Sequence, residues 1–478
     1  MTSHPETATE STDQDAVERV HERCNEMAAA LGRTWTDDEP WRFLTDLTAL
    51  GSRMAGSEGE RRAAEIVADG FERAGLTGVE TEPFEIDAWE RGEADLRVTA
   101  PGRNGRPATR EFESIALPYS PSGTATGELV DVGYGTPSEI DERDVEDRIV
   151  VASTTTPSGG RFVHRMEKFG YAIESGAAGF IFVNHLDGQL PPTGSLTFGG
   201  EADAVAVGVS KETGAWLREY AVGGSEGSET DASAAEVELT VEATTDPGES
   251  RNVIGHTGPD TDERLLLIGH FDAHDIAEGA LDNGCGIATV VTAAAILAEA
   301  DLSVGVDVIG VGSEEVGLLG AEHVAERRDL DRVRGVINVD GAGRFRDLVA
   351  MAHASAEAAS VARAVSTATR QPISVETEPH PFSDQWPFVR QGVPALQLHS
   401  DSGDRGRGWG HTHADTRDKV DDRNVREHAM MTALLVTEFA APEREIPRLD
   451  HEDLVTAFRD ADFETGMRAA DLWPADWD

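Results

Sequence analysis

Hydrophobic and polar positions change period from one stretch of this chain to the next, and the changes outline alternating strands and helices. Leu265 to Ile268, Val304 to Val311, Val336 to Val339 and Val393 to Leu398 are largely apolar runs of strand length, the pattern of buried strands. Between the first two, Ile287, Val290, Val291, Ala294 and Leu297 recur at helical spacing, with Asp282 at the expected N-cap of that helix. The alternation predicts an α/β fold with a mixed, mostly parallel central sheet flanked by helices. Short β runs at 127–132, 147–152 and 206–210 predict a small β-rich module ahead of that sheet, with the Gly-, Ser- and acid-rich stretch 223–235 as its exit linker. Met1 to Gln14, rich in Thr, Ser and acids, is expected to be disordered. An amphipathic helix follows, with Val17, Val20, Cys24, Met27, Ala28 and Leu31 on one face, and His451 to Asp478 reads as a short helix and an acidic tail. No fixed-period repeat is visible.

Chemistry-bearing residues gather where these predicted strands end. His270 and Asp272 follow the first run, Glu314 and Glu315 the second, Asp340 the third, and the segment holding His411 the fourth. In an open α/β sheet, ligands collect outside the carboxyl ends of the strands, so residues this far apart in sequence have a reason to converge. Imidazole mixed with carboxylate is the donor set of catalytic zinc sites. Two Zn²⁺, the carboxylates of Asp282, Glu315 and Asp340, and a bridging hydroxide sum to a charge of about zero, as a partly buried site requires. Neutral His270 and His411 complete the shells. Adjacent residues leave a turn in different directions, so one of Glu314 and Glu315 is free to act as general base. Asp272, two residues beyond His270, is close enough to accept the other ring N–H and fix the tautomer. Taken singly, each residue has a plainer reading: a core histidine, a helix start, a strand-ending turn, a solvated acid. Their common placement at strand ends and a helix start argues against five separate coincidences.

The ordered set resembles the co-catalytic zinc exopeptidases, the family of leucyl aminopeptidases, aminopeptidase Y, plasma glutamate carboxypeptidase and glutamate carboxypeptidase II. The resemblance implies that His270 and Asp340 bind one zinc, that Glu315 and His411 bind the other, that Asp282 bridges, that Glu314 is the general base and that Asp272 orients His270. It extends to Arg251–Gly255 as the first strand of the catalytic core, to the stretch 44–92 containing Leu50-Gly51-Ser52-Arg53-Met54, and to Phe382-Ser383-Asp384 with Trp386-Pro387-Phe388 as a substrate-side loop. The module between the two parts resembles a protease-associated domain. The implied organisation is an N-terminal tail and helix (1–36), a first peptidase part (37–117), the insert (118–245), the catalytic part (246–445) and a C-terminal helix and tail (446–478). The implied activity is that of an aminopeptidase using two zinc ions, or other divalent ions such as Co²⁺ or Mn²⁺. The alternatives are a carboxypeptidase or dipeptidase, a receptor-like protein without catalysis, and single-zinc acyl transfer. Two roles stay open for the insert: shaping substrate access or supporting a homodimer. Cys285 replaces the Ala or Ser more common in such relatives. It reads as a small buried residue, since nothing beside it would activate a thiol.

Charge adds a separate inference. The chain has 478 residues, with 89 acids against 41 bases and a net charge of −48, and lysine occurs only at 168, 211 and 419. Such a surface repels nucleic acid and anionic membranes, leaving peptides as the expected partners. Multimolar salt shortens the screening length to ~3 Å and would relieve the self-repulsion, so a halophilic protein is expected. The N-terminus lacks the basic and apolar regions of an export signal, no stretch is expected to reach the ~18 apolar residues of a membrane span, and the two cysteines form no disulfide framework; a cytoplasmic location is expected.

Overall fold

The computed structural model describes residues 6–101, 106–221, 235–403 and 408–478. It contains one 14-stranded mixed sheet with helices packed against it. The strands are β1 (Thr77–Pro101), β2 (Pro107–Phe112), β3 (Ile115–Ala116), β4 (Gly123–Asp131), β5 (Ile149–Ser153), β6 (Gly179–Val183), β7 (Val205–Val209), β8 (Glu236–Thr257), β9 (Arg264–His270), β10 (Gly305–Val311), β11 (Val333–Val339), β12 (Asp347–Met351), β13 (Ile373–Glu376) and β14 (Ala395–Asp401). Their order across the sheet is β13-β12-β14-β11-β9-β10-β8-β4-β5-β6-β7-β3, with β1 paired to β8 and β2 to β1.

Two regions of this sheet differ in construction. In the first, β10, β9, β11 and β14 run parallel, and every residue of β10 is buried, which explains why these segments read as largely apolar runs. In the second, β4, β5, β6 and β7 run parallel with short helices between them. The long antiparallel ribbon of β1 and β8 joins the two regions, and β8 crosses the expected boundary between residues 245 and 246 without a break. Alternating exposure along β1 and β8 kept this ribbon from announcing itself as one 25-residue and one 22-residue strand.

The helix that follows β9, α8 (Cys285–Leu297), lies in the core, with nearly every residue buried among Leu265, Leu267, Val306 and Val308. The window Ala280–Leu297 is long and apolar enough to cross a membrane by length and composition, contrary to the sequence expectation, but 89% of it is buried inside the protein. Asp282 is not the N-cap of α8. That position belongs to Gly284, and Asp282 sits two residues earlier in a kinked turn with extended backbone angles. The kink turns its carboxylate toward the sheet end instead of toward the helix N–H groups.

Both termini also depart from expectation. Residues 6–14, expected to be disordered, belong to α1 (Glu6–Glu26); residues 1–5 lie outside the described residues. The predicted apolar stripe is broken at Met27, beyond which α2 (Ala28–Thr36) begins, and Ala28 is exposed. The linker expected at 223–235 lies outside the described residues except for Ala235, which is buried. At the other end, α13 (His451–Asp460) and α14 (Glu464–Ala469) pack on the sheet instead of forming a free tail, and Trp477 is buried against Trp386 and Phe458.

Candidate metal centre

The parallel direction of β9, β10, β11 and β14 brings their carboxyl ends to one edge, and the sequence-predicted residues meet there. His270 is the last residue of β9, Asp340 follows β11 directly, and Glu314 and Glu315 occupy the turn after β10. His411 comes from the loop after β14. Ser313 and His411 have φ of 58° and 59°, left-handed conformations that ordinary residues adopt only where the surroundings enforce them.

Asp282 stands at the centre. Its Oδ1 is 3.6 Å from His270 Nε2 and its Oδ2 is 3.3 Å from His411 Nε2, so each carboxylate oxygen faces a different imidazole. On the first side, His270 Nε2 lies 3.8 Å from Asp340 Oδ1 and 4.0 Å from Glu314 Oε2. On the second, His411 Nε2 and His274 Nε2 each lie 3.0 Å from Glu315 Oε2. Two clusters result whose donor atoms all lie within 4.8 Å of one another: His270, Glu314 and Asp340, and His274, Glu315 and His411. His274 was not picked out in the sequence; a histidine four residues after His270 in a polar loop carries no signal of its own.

Supporting bonds hold the set in place. Asp272 Oδ1 is 3.3 Å from His270 Nδ1, and the Asp272 carboxylate also accepts the backbone N–H groups of Glu314 and Glu315, both at 3.1 Å. One buried acid therefore fixes both a ring and the turn bearing two further carboxylates. Asp415 accepts the N–H groups of Leu281 and Asp282, which fits a loop-holding role, while His413 is exposed. Ser383 donates to Asp340 Oδ2 at 2.8 Å, and Asn338 donates to Ser383. Trp386, from the same predicted substrate-side loop, is instead sealed in the core, whereas Phe382 lines the cleft. Cys285 is fully buried, and burial pushes its thiol up to about 12, so it is no nucleophile.

Several contributors were invisible in one dimension. Arg344 donates to Leu281 O, Asp282 Oδ1 and Asp340 Oδ1, at 2.7, 2.8 and 3.2 Å. Arg53, fully buried, ties Phe271, Glu278 and Gly279 carbonyls together and so shapes the loop between His270 and Asp282. Glu60 accepts from Gly56 N, Ser250 Oγ and Ser313 N, bracing the turn before Glu314; burial, with Asp272 nearby, raises its pKa to about 8. The insert reaches in as well. The Thr193 carbonyl lies 3.2 Å from His411 Nδ1; since a carbonyl only accepts, Nδ1 is the donor in this contact, and Nε2 faces Glu315 and Asp282. His164, Arg165 and Phe198 from the insert, with Leu318 and Phe382, wall a narrow cleft over the acidic groups.

The electrostatics call for a cation. Burial opposes charge on His270, but Glu314, Asp272, Asp282 and Asp340 outweigh it and hold its pKa well above the imidazole value. Burial, against the pull of His270, drives Glu314 well above the carboxylate range, and Asp384 likewise. Glu315 is buried too, yet His274 and His411 hold it well below. Neither ring nitrogen of His270 or His274 has a well-aligned hydrogen-bond partner among the described residues. Buried imidazoles facing carboxylates without well-aligned hydrogen bonds, beside a surplus of further carboxylates, fit divalent metal ions with mixed N/O preference.

Residues 252–436 match the family model of peptidase family M28, and residues 125–217 match that of the PA domain. The larger matched segment is thus similar to M28 peptidase domains. Aminopeptidase YwaD of Bacillus subtilis is 26% identical over 301 residues, 62% of this chain and 59% of that protein. The probable lipoprotein aminopeptidase LpqL of Mycobacterium tuberculosis is 27% identical over 326 residues, 65% of this chain and 59% of that protein. The chain thus spans less than two thirds of either relative. A peptidase M28 precursor from Shewanella amazonensis SB2B shares the fold, with a TM-score of 0.70 at 22% identity over 92% of this chain and 99% of that one. All the ligand candidates, His270, Asp282, Glu315, Asp340 and His411, lie within the M28 segment; Thr193, His164 and Arg165 lie within the PA segment.

Proposed function

We propose that this chain is a zinc-dependent exopeptidase, in the first place an aminopeptidase, that holds two ions side by side. The observation carrying this reading is the division of Asp282 between two imidazoles, one oxygen to each, which suits a carboxylate bridging two cations. His270 and Asp340 would hold one ion, and Glu315 and His411 the other. When bound, such ions polarise a carbonyl and lower the pKa of a water to near neutral.

The protein's own groups do the rest. Glu314 lies at the edge of the cleft, 4.0 Å from His270 and outside the bonds that fix Asp272, Ser383 and Asp340. Its buried carboxylate takes a proton from water and returns it to the departing amine, the task for which enzymes raise a carboxylate pKa. Asp272 and the Thr193 carbonyl hold the two imidazoles in the tautomer that leaves Nε2 unprotonated. Phe382, Phe198 and Leu318 offer an apolar wall for a substrate side chain, and the narrow cleft under the insert suits a chain end better than the middle of a polypeptide.

The test is incubation of the purified protein in multimolar KCl with zinc and peptides having free or blocked ends, followed by mass spectrometry. Stepwise loss from free N-termini is expected. Loss only from C-termini, or only from dipeptides, moves the activity to a carboxypeptidase or dipeptidase, and no cleavage with metal bound overturns catalysis. The same reading includes a high-salt setting, supported by the net charge of −48. The melting temperature is expected to rise with KCl, and a curve indifferent to KCl removes that part.

A further inference from the structure

We infer that His274 is a protein ligand of the ion held by Glu315 and His411, so that this ion is enclosed by four protein donors while its neighbour keeps an open position. The inference rests on the two-ion reading above. Four observations carry it. His274 Nε2 is 3.0 Å from Glu315 Oε2, the same oxygen that faces His411 Nε2 at 3.0 Å. The donor atoms of His274, Glu315 and His411 all lie within 4.8 Å of one another. The two rings stand edge to face with centroids 4.5 Å apart, so both Nε2 atoms turn toward one point without stacking. His274 is only 5% exposed, and neither of its nitrogens has a well-aligned hydrogen-bond partner among the described residues, which a purely structural histidine would need.

The consequence is asymmetry. With Asp282 Oδ2, the second ion has two imidazoles and two carboxylates, the full tetrahedral complement of a zinc site closed to exchange. The first ion has His270, Asp340 and Asp282 Oδ1, three protein ligands, as in sites that keep a position for water or substrate. The cleft-facing work of the pair therefore falls on the first ion, and the second serves mainly to hold Asp282 and Glu315 in place.

The experiment uses the full chain in multimolar KCl, with zinc counted by mass spectrometry during titration with a chelator, for wild type, His274→Phe and His411→Ala. In wild type one ion is expected to leave well before the other. In His274→Phe the retained ion should bind more than ~100-fold more weakly, beyond the ~10–100-fold expected from loss of an outer partner alone, and the two ions should leave together. Unchanged retention in His274→Phe while His411→Ala loses an ion overturns the inference and leaves the two-ion reading standing; retention in both variants overturns both. Should His274→Phe fail to fold, X-ray absorption on zinc-loaded wild type decides the matter. Three imidazoles shared between two ions support the inference, and two overturn it.

Discussion

The two ends of β10 both bury acid, and they treat it in opposite ways. Near the start of the strand, Asp307 is 2% exposed and surrounded by His256, Arg264 and Arg328, with His256 Nδ1 at 2.8 Å and Arg264 Nε at 2.9 Å. Burial would raise its pKa, but these partners win and hold it well below the carboxylate range. Beyond the other end, Glu314 and Glu315 join Asp272, Asp282, Asp340 and Asp384, with Arg344 bonded to Asp282 and Asp340 and Arg53 committed to backbone carbonyls. Where the chain supplies its own cations the acid is part of the framework. Where it leaves carboxylates in surplus, beside imidazoles without well-aligned hydrogen bonds, the missing charge has to come from outside.

The most severe way to break this contrast is Glu314→Gln, which keeps the shape of the side chain and removes its proton-accepting capacity. We expect kcat to fall by about 10²–10⁴-fold, the usual worth of a positioned acid–base group, with metal content and melting temperature retained. Full activity in this variant would mean that the surplus acid at this end performs no chemistry. The next effect in size is metal removal. An ion present at a thousand times its Kd stabilises by ~4 kcal/mol, so chelation should lower the melting temperature of wild type. The same downward shift should appear in Asp307→Asn, because the two ends of the strand share no partners. A shift that vanishes in Asp307→Asn would show that the ends are one network.

How much of this was legible in the sequence differs between the same two kinds of feature. The strands and the donor groups at their ends could be read, because largely apolar runs reveal buried strands and a donor directly after such a run has a defined place in space. His270, Asp272, Glu314, Glu315 and Asp340 meet at one edge for that reason, and Asp282 and His411 reach it from a turn and a loop. What could not be read depended on contacts without period or neighbour: Arg344 reaching back across a glycine turn, Arg53 folding over the loop before Asp282, Thr193 orienting His411 across the insert, and His274 turned inward from a polar loop. The Asp282 cap was misplaced because a kink, which leaves no trace in hydrophobic spacing, intervenes before α8. The ribbon of β1 and β8 was under-read because its faces alternate irregularly between water and core.

A smaller effect is expected at the self-neutralised end. Asp307→Asn strips Arg264 and Arg328 of their acid, and since both retain partial contact with solvent, the loss should be about 2 kcal/mol, below the ~3–5 kcal/mol of a fully enclosed pair. The sign with pH follows from the depressed pKa of the folded state. Asp307 stabilises the fold fully above the unfolded carboxylate value of ~4, and this contribution is lost as the pH falls through the lower folded value. Denaturation of wild type and variant should therefore converge on acidification. A gap that widens toward acid pH would contradict the assignment of Asp307 as a paired carboxylate.

The mildest prediction concerns the insert, which walls the cleft over the acidic end of β10 through His164, Arg165 and Phe198. The His164 ring stacks on Phe382 with centroids 4.1 Å apart and planes 18° from parallel, and it also caps α6 (Arg165–Glu174) through Nδ1. Truncation to Ala removes both roles, whereas His164→Phe removes only the cap. An aromatic pair is worth ~0.5–1.5 kcal/mol, so His164→Ala should raise KM for a short peptide about fivefold with kcat nearly unchanged. His164→Phe should restore KM while keeping the small loss of stability that a missing cap brings. If kcat fell instead and Phe did not rescue it, the insert would have to be counted with the carboxylates of the strand ends as part of the reacting centre rather than as its wall.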